Sequence, residues 1–206
     1  MISLLSSSIT KFLLKKSVIQ DEEKELYDYG LFMLISYVAF FMLSVLFGLI
    51  LNILFLSLLF FFIFCLVRNF AGGIHANTEI KCDIATSISL LISELLIKLL
   101  LYYNLIEIAF IMLILSAITL IFVKPITSSN KEITLQEKRI FYKKVIVITI
   151  FSVFISLICL LFNFYGIVMS ISVGLSLASV LLILGTIQQK IKLLKNTERS
   201  KKNESS

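Results

Sequence analysis

The sequence is poor in charged residues and in the side chains that bind metals. Of its 206 residues, 16% are charged and one is a histidine, and the three cysteines stand at positions 65, 82 and 159. A soluble domain carries about 25% charged residues, so the composition argues against a water-soluble protein. One histidine with scattered cysteines offers neither a metal-ligand cluster nor a disulfide framework. No metal and no cofactor is therefore expected.

Charge is absent altogether from two long apolar stretches. Leu31 to Val67 and Val145 to Gln189 contain no Asp, Glu, Lys or Arg, and the mean hydropathy of the chain is +1.02. Each stretch is long enough for two passes of about 20 residues across a hydrocarbon core. About 200 residues cannot enclose both stretches in one soluble core. The sequence therefore predicts an all-α integral membrane protein.

Six transmembrane helices are expected in this protein. The only proline, Pro125, ends the fourth span, because proline fits poorly inside a helix and disfavours helix in the residue before it. The second span is short, and Asn52 is placed at the tight turn before it. The spans are predicted at residues 31–50, 53–67, 84–102, 108–123, 145–162 and 167–187.

The predicted domains follow from these spans. Residues 1–30 are an N-terminal interfacial segment, in which residues 2–20 form an amphipathic helix lying on the membrane. Residues 31–189 form the transmembrane domain, and residues 190–206 form a basic tail that is expected to fray. A polar loop is expected at 127–144, with a short helix of its own at 135–144.

The basic residues are segregated along the chain. Four precede the first span, two lie in the loop after the second, six lie in the loop after the fourth and six lie in the tail, which leaves Lys98 alone inside a span. The connections near Asn52, Asn104 and Asn163 have none. Lys and Arg accumulate in cytoplasmic loops, so both termini and the loop at 68–83 are predicted to be cytoplasmic. This distribution favours contact with membrane lipids over nucleic acid.

The third span carries two charged residues. Glu94 and Lys98 are four residues apart, so they share a helix face and can pair. Charges inside a membrane usually face a bundle interior or a wet cavity. A structural ion pair and a polar cavity wall for a peptide or an ion both remain open. The same span holds the polar residues Thr86, Ser87, Ser89 and Ser93.

The segment "RNFAGGIHANTEIKC", residues 68–82, holds the only histidine, His75, and Cys82. A thiol and an imidazole are the minimum for cysteine nucleophilic catalysis, since the imidazole takes the thiol proton and later protonates the leaving amine. Cys82 falls where the third span begins, and a helix N-terminus favours the thiolate. Asn77, Glu79 and Asp83 are each able to orient the imidazole, and the spacing does not choose among them.

The spacing of this pair requires a bend in the chain. Seven residues on a straight helix would separate His75 and Cys82 by about 10 Å along the axis, which is too far for a hydrogen bond. The pair Gly72-Gly73 permits a sharp turn before His75. We therefore predict that the glycines turn the chain and bring His75 back towards Cys82.

The pattern of arginine, paired glycines, histidine and cysteine between hydrophobic spans resembles the AgrB family, the membrane endopeptidases of Gram-positive quorum sensing. The pattern includes Arg68, Gly72-Gly73, His75-Ala76, Cys82 and Ser87. The resemblance implies that His75 and Cys82 are the catalytic pair and that Arg68 and Gly73 support activity, with Gly72 beside them. It also implies a plasma-membrane protein and suggests a homodimer.

The activity implied by the resemblance is cleavage of the C-terminal part of an AgrD-like propeptide. The peptide then stays on the enzyme as a thioester, and a cysteine or serine of the peptide closes a thiolactone or lactone ring. Ser87, Glu94 and Lys98 are candidate cavity contacts for this substrate. Two other classes remain open from the residues themselves: a small transporter with Glu94 and Lys98 lining its path, and a scaffold or sensor without catalysis.

Overall fold

A computed structural model of the chain describes residues 2–16, 18–72, 79–124 and 135–204, with the backbone alone at 2, 79–82, 135 and 192–204. Within these ranges the chain is helical with short connections, and no strand is present. The predicted all-α class is confirmed for this part of the chain. The helices are α1 Ile2–Lys15, α2 Lys24–Ile50, α3 Leu54–Ala71, α4 Glu79–Tyr102, α5 Ile106–Phe122, α6 Leu135–Leu161 and α7 Tyr165–Glu204, and a 3-10 turn covers Asp21–Glu23.

Five of the described helices, α2, α3, α4, α6 and α7, are long and apolar enough to cross a membrane. Helix α5 is equally apolar but has 17 residues, which corresponds to about 25 Å at 1.5 Å per residue. The hydrocarbon core is about 30 Å thick. A multi-span protein is therefore confirmed, whereas the sixth span and the orientation of the termini stay predictions.

The chain divides into two compact units, Met1–Leu46 and Phe47–Ser206. In the first unit, α1 buries the hydroxyl side chains of Ser6 and Thr10, and Thr10 Oγ1 donates to Asp28 Oδ1 at 3.4 Å. The apolar side chains of Leu4 and Phe12 on the same helix are exposed, at 70% and 59%. Such exposure suits a helix that lies on a membrane surface.

Helix α7 forms the centre of the second unit. It contacts α3, α4, α5 and α6, and every residue from Val168 to Leu175 is buried. A helix that is buried on all sides belongs in the core of a bundle. Helices α3, α4, α5 and α6 pack around α7, and α3, α5 and α6 leave apolar side chains such as Phe55, Ile111 and Phe151 exposed, as expected for helices that contact lipid.

Small residues allow α7 to approach α3 closely. A Cβ atom added to Gly174 would lie 3.2 Å from the backbone oxygen of Phe60 and 3.4 Å from Ile63 Cγ2. Gly166, Ser170, Gly174 and Ala178 recur at every fourth position of α7. Small residues at this spacing let transmembrane helices pack backbone to backbone, so this face of α7 determines how closely α3 packs.

Three helices, α2, α4 and α6, each end in a turn of the same type. Asn52, Asn104 and Asn163 have φ values of 54°, 52° and 60°, in the left-handed region that asparagine tolerates better than most residues. At each turn the asparagine N–H bonds the carbonyl three residues back, and the next N–H bonds the carbonyl five residues before it. This is the Schellman pattern of helix termination. These are the three connections in which the sequence has no basic residue.

Two predicted segments belong to longer helices. The stretch 135–144, expected to be a short helix in a loop, is helical but is the first part of α6, which continues to Leu161. The tail is part of α7, which is helical as far as Glu204, and its predicted fraying stays a prediction. Neither 135–144 nor 190–204 contains glycine or proline, so no residue in either segment interrupts the helix.

Candidate functional site

The glycine pair follows directly after α3. The helix ends at Ala71, and Gly72 has φ 74° and ψ −157°, a conformation that only glycine adopts readily. The N–H of Gly72 still bonds the carbonyl of Arg68, at 3.2 Å. The predicted break in the helix is therefore present at Gly72. The residues that follow, including Gly73 and His75, lie outside the described part of the chain.

Cys82 lies in the first turn of α4, because α4 begins at Glu79. The first backbone N–H groups of a helix have no carbonyl partner within the helix and carry partial positive charge. The predicted start of the third span near Cys82 agrees with this backbone. The side chain of Cys82 and its distance to His75 lie outside the described residues, so the pairing of these two residues stays a prediction.

The end of α3 packs against the start of α6. The rings of Phe70 and Phe141 lie 6.0 Å apart between centroids, and Lys144 Nζ lies 4.7 Å from the centroid of Phe70. A lysine ammonium at this distance from a ring makes a cation–π contact. Arg68, one helical turn before Gly72 and half-buried, therefore belongs to a segment that α6 holds in place.

The end of α5 joins the same cluster. The hydroxyl of Tyr142 on α6 donates a hydrogen bond to the carbonyl oxygen of Ile121 on α5. Carbonyls in the last turn of a helix lack partners within it, and Tyr142 supplies one. The ends of α3 and α5 thus meet the beginning of α6 beside the point where the chain leaves Gly72.

The three candidate cavity contacts on α4 differ in their surroundings. Ser87 is half-buried, and its hydroxyl donates to the carbonyl of Asp83 at 2.8 Å. Glu94 is completely buried on the same face as Leu90 and Ile97, whereas Lys98 is exposed. Glu94 therefore belongs to the packed face of α4 and Lys98 to its outer part, and their predicted pairing stays a prediction.

The sequence analysis did not identify the hydroxyl groups buried in α6 and α7. Thr149, Ser152 and Ser156 lie on one face of α6, and Ser170 and Ser172 lie on α7. The spacing of three and four residues between the α6 hydroxyls, inside a charge-free run, was the available signal for that helix. The contacts of Phe70, Tyr142 and Lys144 were also missed, because sequence alone does not show which helix ends meet.

Five apolar helices that are long enough to cross a membrane, with α7 buried among α3, α4, α5 and α6, indicate a multi-pass membrane protein. Comparison with known families is specific: the model of accessory gene regulator B, AgrB, matches residues 6–183. The chain belongs to the AgrB family, and the resemblance stated from its motifs is confirmed. No curated protein and no solved structure matches the chain significantly.

Membership of this family implies a role in the processing of quorum-sensing peptides and, in general terms, an AgrD-like propeptide as partner. The matched region includes all the candidate residues from Arg68 to Lys98. The family match thus covers the glycine turn, the start of α4 and the buried Glu94.

Proposed function

We propose that this protein is a membrane cysteine endopeptidase that cleaves the C-terminal part of an AgrD-like propeptide and cyclises the remainder. Cys82 is the nucleophile and His75 is the general base and acid. The observation that carries the proposal is the family match across the whole of residues 68–98. The position of Cys82 in the first turn of α4 supports it, because a helix N-terminus favours a thiolate.

The proposed reaction has two acyl-transfer steps. In the first, His75 accepts the thiol proton of Cys82, the sulfur attacks the scissile carbonyl, and the peptide bond breaks as His75 protonates the leaving amine. This step leaves a thioester on Cys82. In the second, a thiol or hydroxyl within the bound peptide attacks the thioester, forms the ring and releases Cys82. Water must be kept from the thioester for the ring to form.

Gly72 and Arg68 act as supporting residues in this proposal. Gly72 ends α3 in a conformation that other residues adopt at a cost, so it directs the chain towards His75. The contacts of Phe70 with α6 hold the segment that precedes the turn. Gly73, the residue after Gly72, is also proposed to support activity.

We further propose a plasma-membrane location with six spans and with the termini and the site at the cytoplasmic face. Eighteen of the nineteen basic residues support this orientation, since they lie in the two terminal segments and the two loops predicted to be cytoplasmic, and none lies at the three asparagine turns. The turns at Asn52, Asn104 and Asn163 are compatible with it, because each ends a helix at a connection without basic residues. The predicted homodimer remains part of the proposal.

A small transporter is the second candidate function. The fully buried carboxylate of Glu94 favours it, because ionisable residues inside a membrane often mark a path for ions or substrates. The two functions are distinguished by Cys82. Transport along α4 would survive the loss of its thiol, whereas peptide cleavage would not.

The test is propeptide processing in cells that produce this protein together with its cognate propeptide. Cys82→Ala and His75→Ala are each expected to abolish cleavage, since removing a nucleophile or its base costs several orders of magnitude in rate. Cys65→Ala and Cys159→Ala are matched controls, because both thiols are half-buried within spans. Normal processing by Cys82→Ala at equal protein levels would overturn the proposal.

A further inference from the structure

The first turns of α6 contact the end of α3 through two side chains on one face of the helix. Phe141 and Lys144 are three residues apart, so they project from the same side of α6. The rings of Phe141 and Phe70 lie 6.0 Å apart between centroids, and Lys144 Nζ lies 4.7 Å from the centroid of Phe70. One half-buried aromatic ring of α3 is therefore contacted by both a ring and an ammonium group of α6.

This contact lies two residues before the break in α3. Phe70 is followed by Ala71, which is completely buried, and then by Gly72, at which the helix ends. The N–H of Gly72 still bonds the carbonyl of Arg68, so the backbone from Arg68 to Gly72 forms one closed turn. Side chains that hold Phe70 therefore also hold the point at which the chain leaves α3.

The chain from this point to the proposed base is short. His75 lies three residues after Gly72 in sequence, and three residues span at most about 11 Å. Cys82 belongs to a different helix, α4, which packs against α7. The position of α3 relative to α4 therefore limits where His75 can meet Cys82. A misplacement of about 1 Å in such a pair can slow catalysis by about a hundredfold.

We propose that Lys144 and Phe141 are positioning residues for the peptidase reaction. They hold the ring of Phe70 and thereby fix the place from which the chain reaches His75. This inference rests on the proposed function, since the contact has this role only if His75 and Cys82 act as a pair. Neither Lys144 nor Phe141 touches the reacting atoms or the substrate, so loss of the contact is expected to lower kcat and to leave KM unchanged.

The test measures cleavage of the cognate propeptide by the full-length protein reconstituted in lipid vesicles. Lys144→Gln is expected to lower kcat by about two- to fivefold, the rate equivalent of an exposed cation–π contact. Lys144→Arg is expected to keep kcat close to that of the parent protein, because a guanidinium also binds the face of a ring.

The neighbouring lysine provides a matched control. Lys143 is also exposed, but it projects from α6 about 100° around the helix from Lys144. Lys143→Gln removes the same charge at nearly the same depth and is expected to change neither kcat nor KM. A difference between the two glutamine variants therefore reports the contact with Phe70 and not the net charge.

A double-mutant cycle shows whether Lys144 acts through the ring. Phe70→Leu keeps an apolar side chain but removes the ring, and it is expected to lower kcat by about tenfold because both contacts are lost. In the Phe70→Leu protein, the further change Lys144→Gln is expected to have no effect on kcat, because the ammonium has already lost its partner. Phe70→Met takes its place in the same cycle if Phe70→Leu does not elute as a single species.

Cys82→Ala, measured in parallel, separates this inference from the function on which it rests. Normal cleavage by Cys82→Ala would overturn the peptidase proposal itself. If Cys82→Ala is inactive but Lys144→Gln cleaves at the parent rate, the positioning role alone is wrong. An equal rise of KM in Lys143→Gln and Lys144→Gln would also overturn it, since both lysines would then attract the substrate. So would an equal loss of kcat on Lys144→Gln with and without the Phe70 ring.

Discussion

At the scale of single residues, the fold depends on backbone conformations that few side chains adopt. Gly72 ends α3 with φ 74°, and three asparagines end other helices with φ between 52° and 60°. A left-handed conformation costs an ordinary residue about 1–2 kcal/mol. Position 72 therefore requires glycine more strictly than the three turns require asparagine. With φ 74° and ψ −157°, Gly72 lies in a backbone region that residues with a side chain rarely adopt.

The conformation of Gly72 leads to a direct prediction. Gly72→Ala is expected to lower the free energy of unfolding by about 1–2 kcal/mol, measured by thermal unfolding in detergent. Gly30→Ala is the control, because Gly30 lies inside α2 with no atom within 4 Å of an added Cβ. Alanine there is expected to be neutral or to stabilise by up to about 1 kcal/mol. Equal stability of the two variants would mean that a side chain at position 72 causes no backbone strain.

Sequence reasoning was most successful where one residue determines local structure. The glycine pair predicted a bend before His75, and the chain leaves the helical conformation at Gly72. The asparagines at 52, 104 and 163 marked three connections without basic residues. The short helix predicted at 135–144 is helical, but its continuation into the next span was not predicted, because the polar composition was interpreted as part of a loop.

At the scale of the helices, the arrangement depends on α7. All the spans are similarly apolar, because both lipid and protein neighbours accept apolar side chains, so hydropathy does not identify the central helix. The spacing of Gly166, Ser170, Gly174 and Ala178 was the available signal. The order of the helices along the chain was predictable from sequence, whereas their neighbours in the bundle were not.

The close contact between α7 and α3 can be tested with two alanine variants. In Gly174→Ala the new Cβ meets the backbone oxygen of Phe60 at 3.2 Å, whereas in Gly166→Ala it meets a methyl group of Leu56 at 3.1 Å. The leucine side chain can turn away but the backbone cannot. Gly174→Ala is therefore expected to be the less stable variant by about 1–2 kcal/mol. A reversed order in thermal unfolding would contradict this packing.

The hydrogen bond between α6 and α5 is a second test of helix packing. Tyr142→Phe removes the donor to the carbonyl of Ile121 and is expected to cost about 1 kcal/mol. Tyr165→Phe removes an exposed hydrogen bond to Asn163 Oδ1, so it is expected to change stability little. Comparison of the two melting temperatures separates the packed hydroxyl from the exposed one. A larger effect at Tyr165 would argue against the contact between α5 and α6.

At the scale of the whole molecule, the open question in the fold is whether α5 crosses the membrane. Its 17 residues are fewer than the typical 20, whereas the segregation of basic residues predicts that Tyr103 and Lys138 lie on opposite sides of the membrane. In a cysteine-free background, Tyr103→Cys is expected to react with an impermeant maleimide in intact cells. Lys138→Cys is expected to react after permeabilisation alone. Equal labelling of both positions in intact cells would exclude a sixth crossing.

The central claim is that Cys82 carries the peptide as a thioester, and the most direct measurement is the mass of the intact protein. A propeptide whose internal cysteine or serine is replaced by alanine cannot close a ring, so the acyl-enzyme is expected to accumulate. We predict an adduct with the mass of the propeptide lacking its C-terminal part, located on Cys82, released by hydroxylamine and absent from Cys82→Ala. Propeptide cleavage without such an adduct, or the same adduct on Cys82→Ala, would contradict the claim.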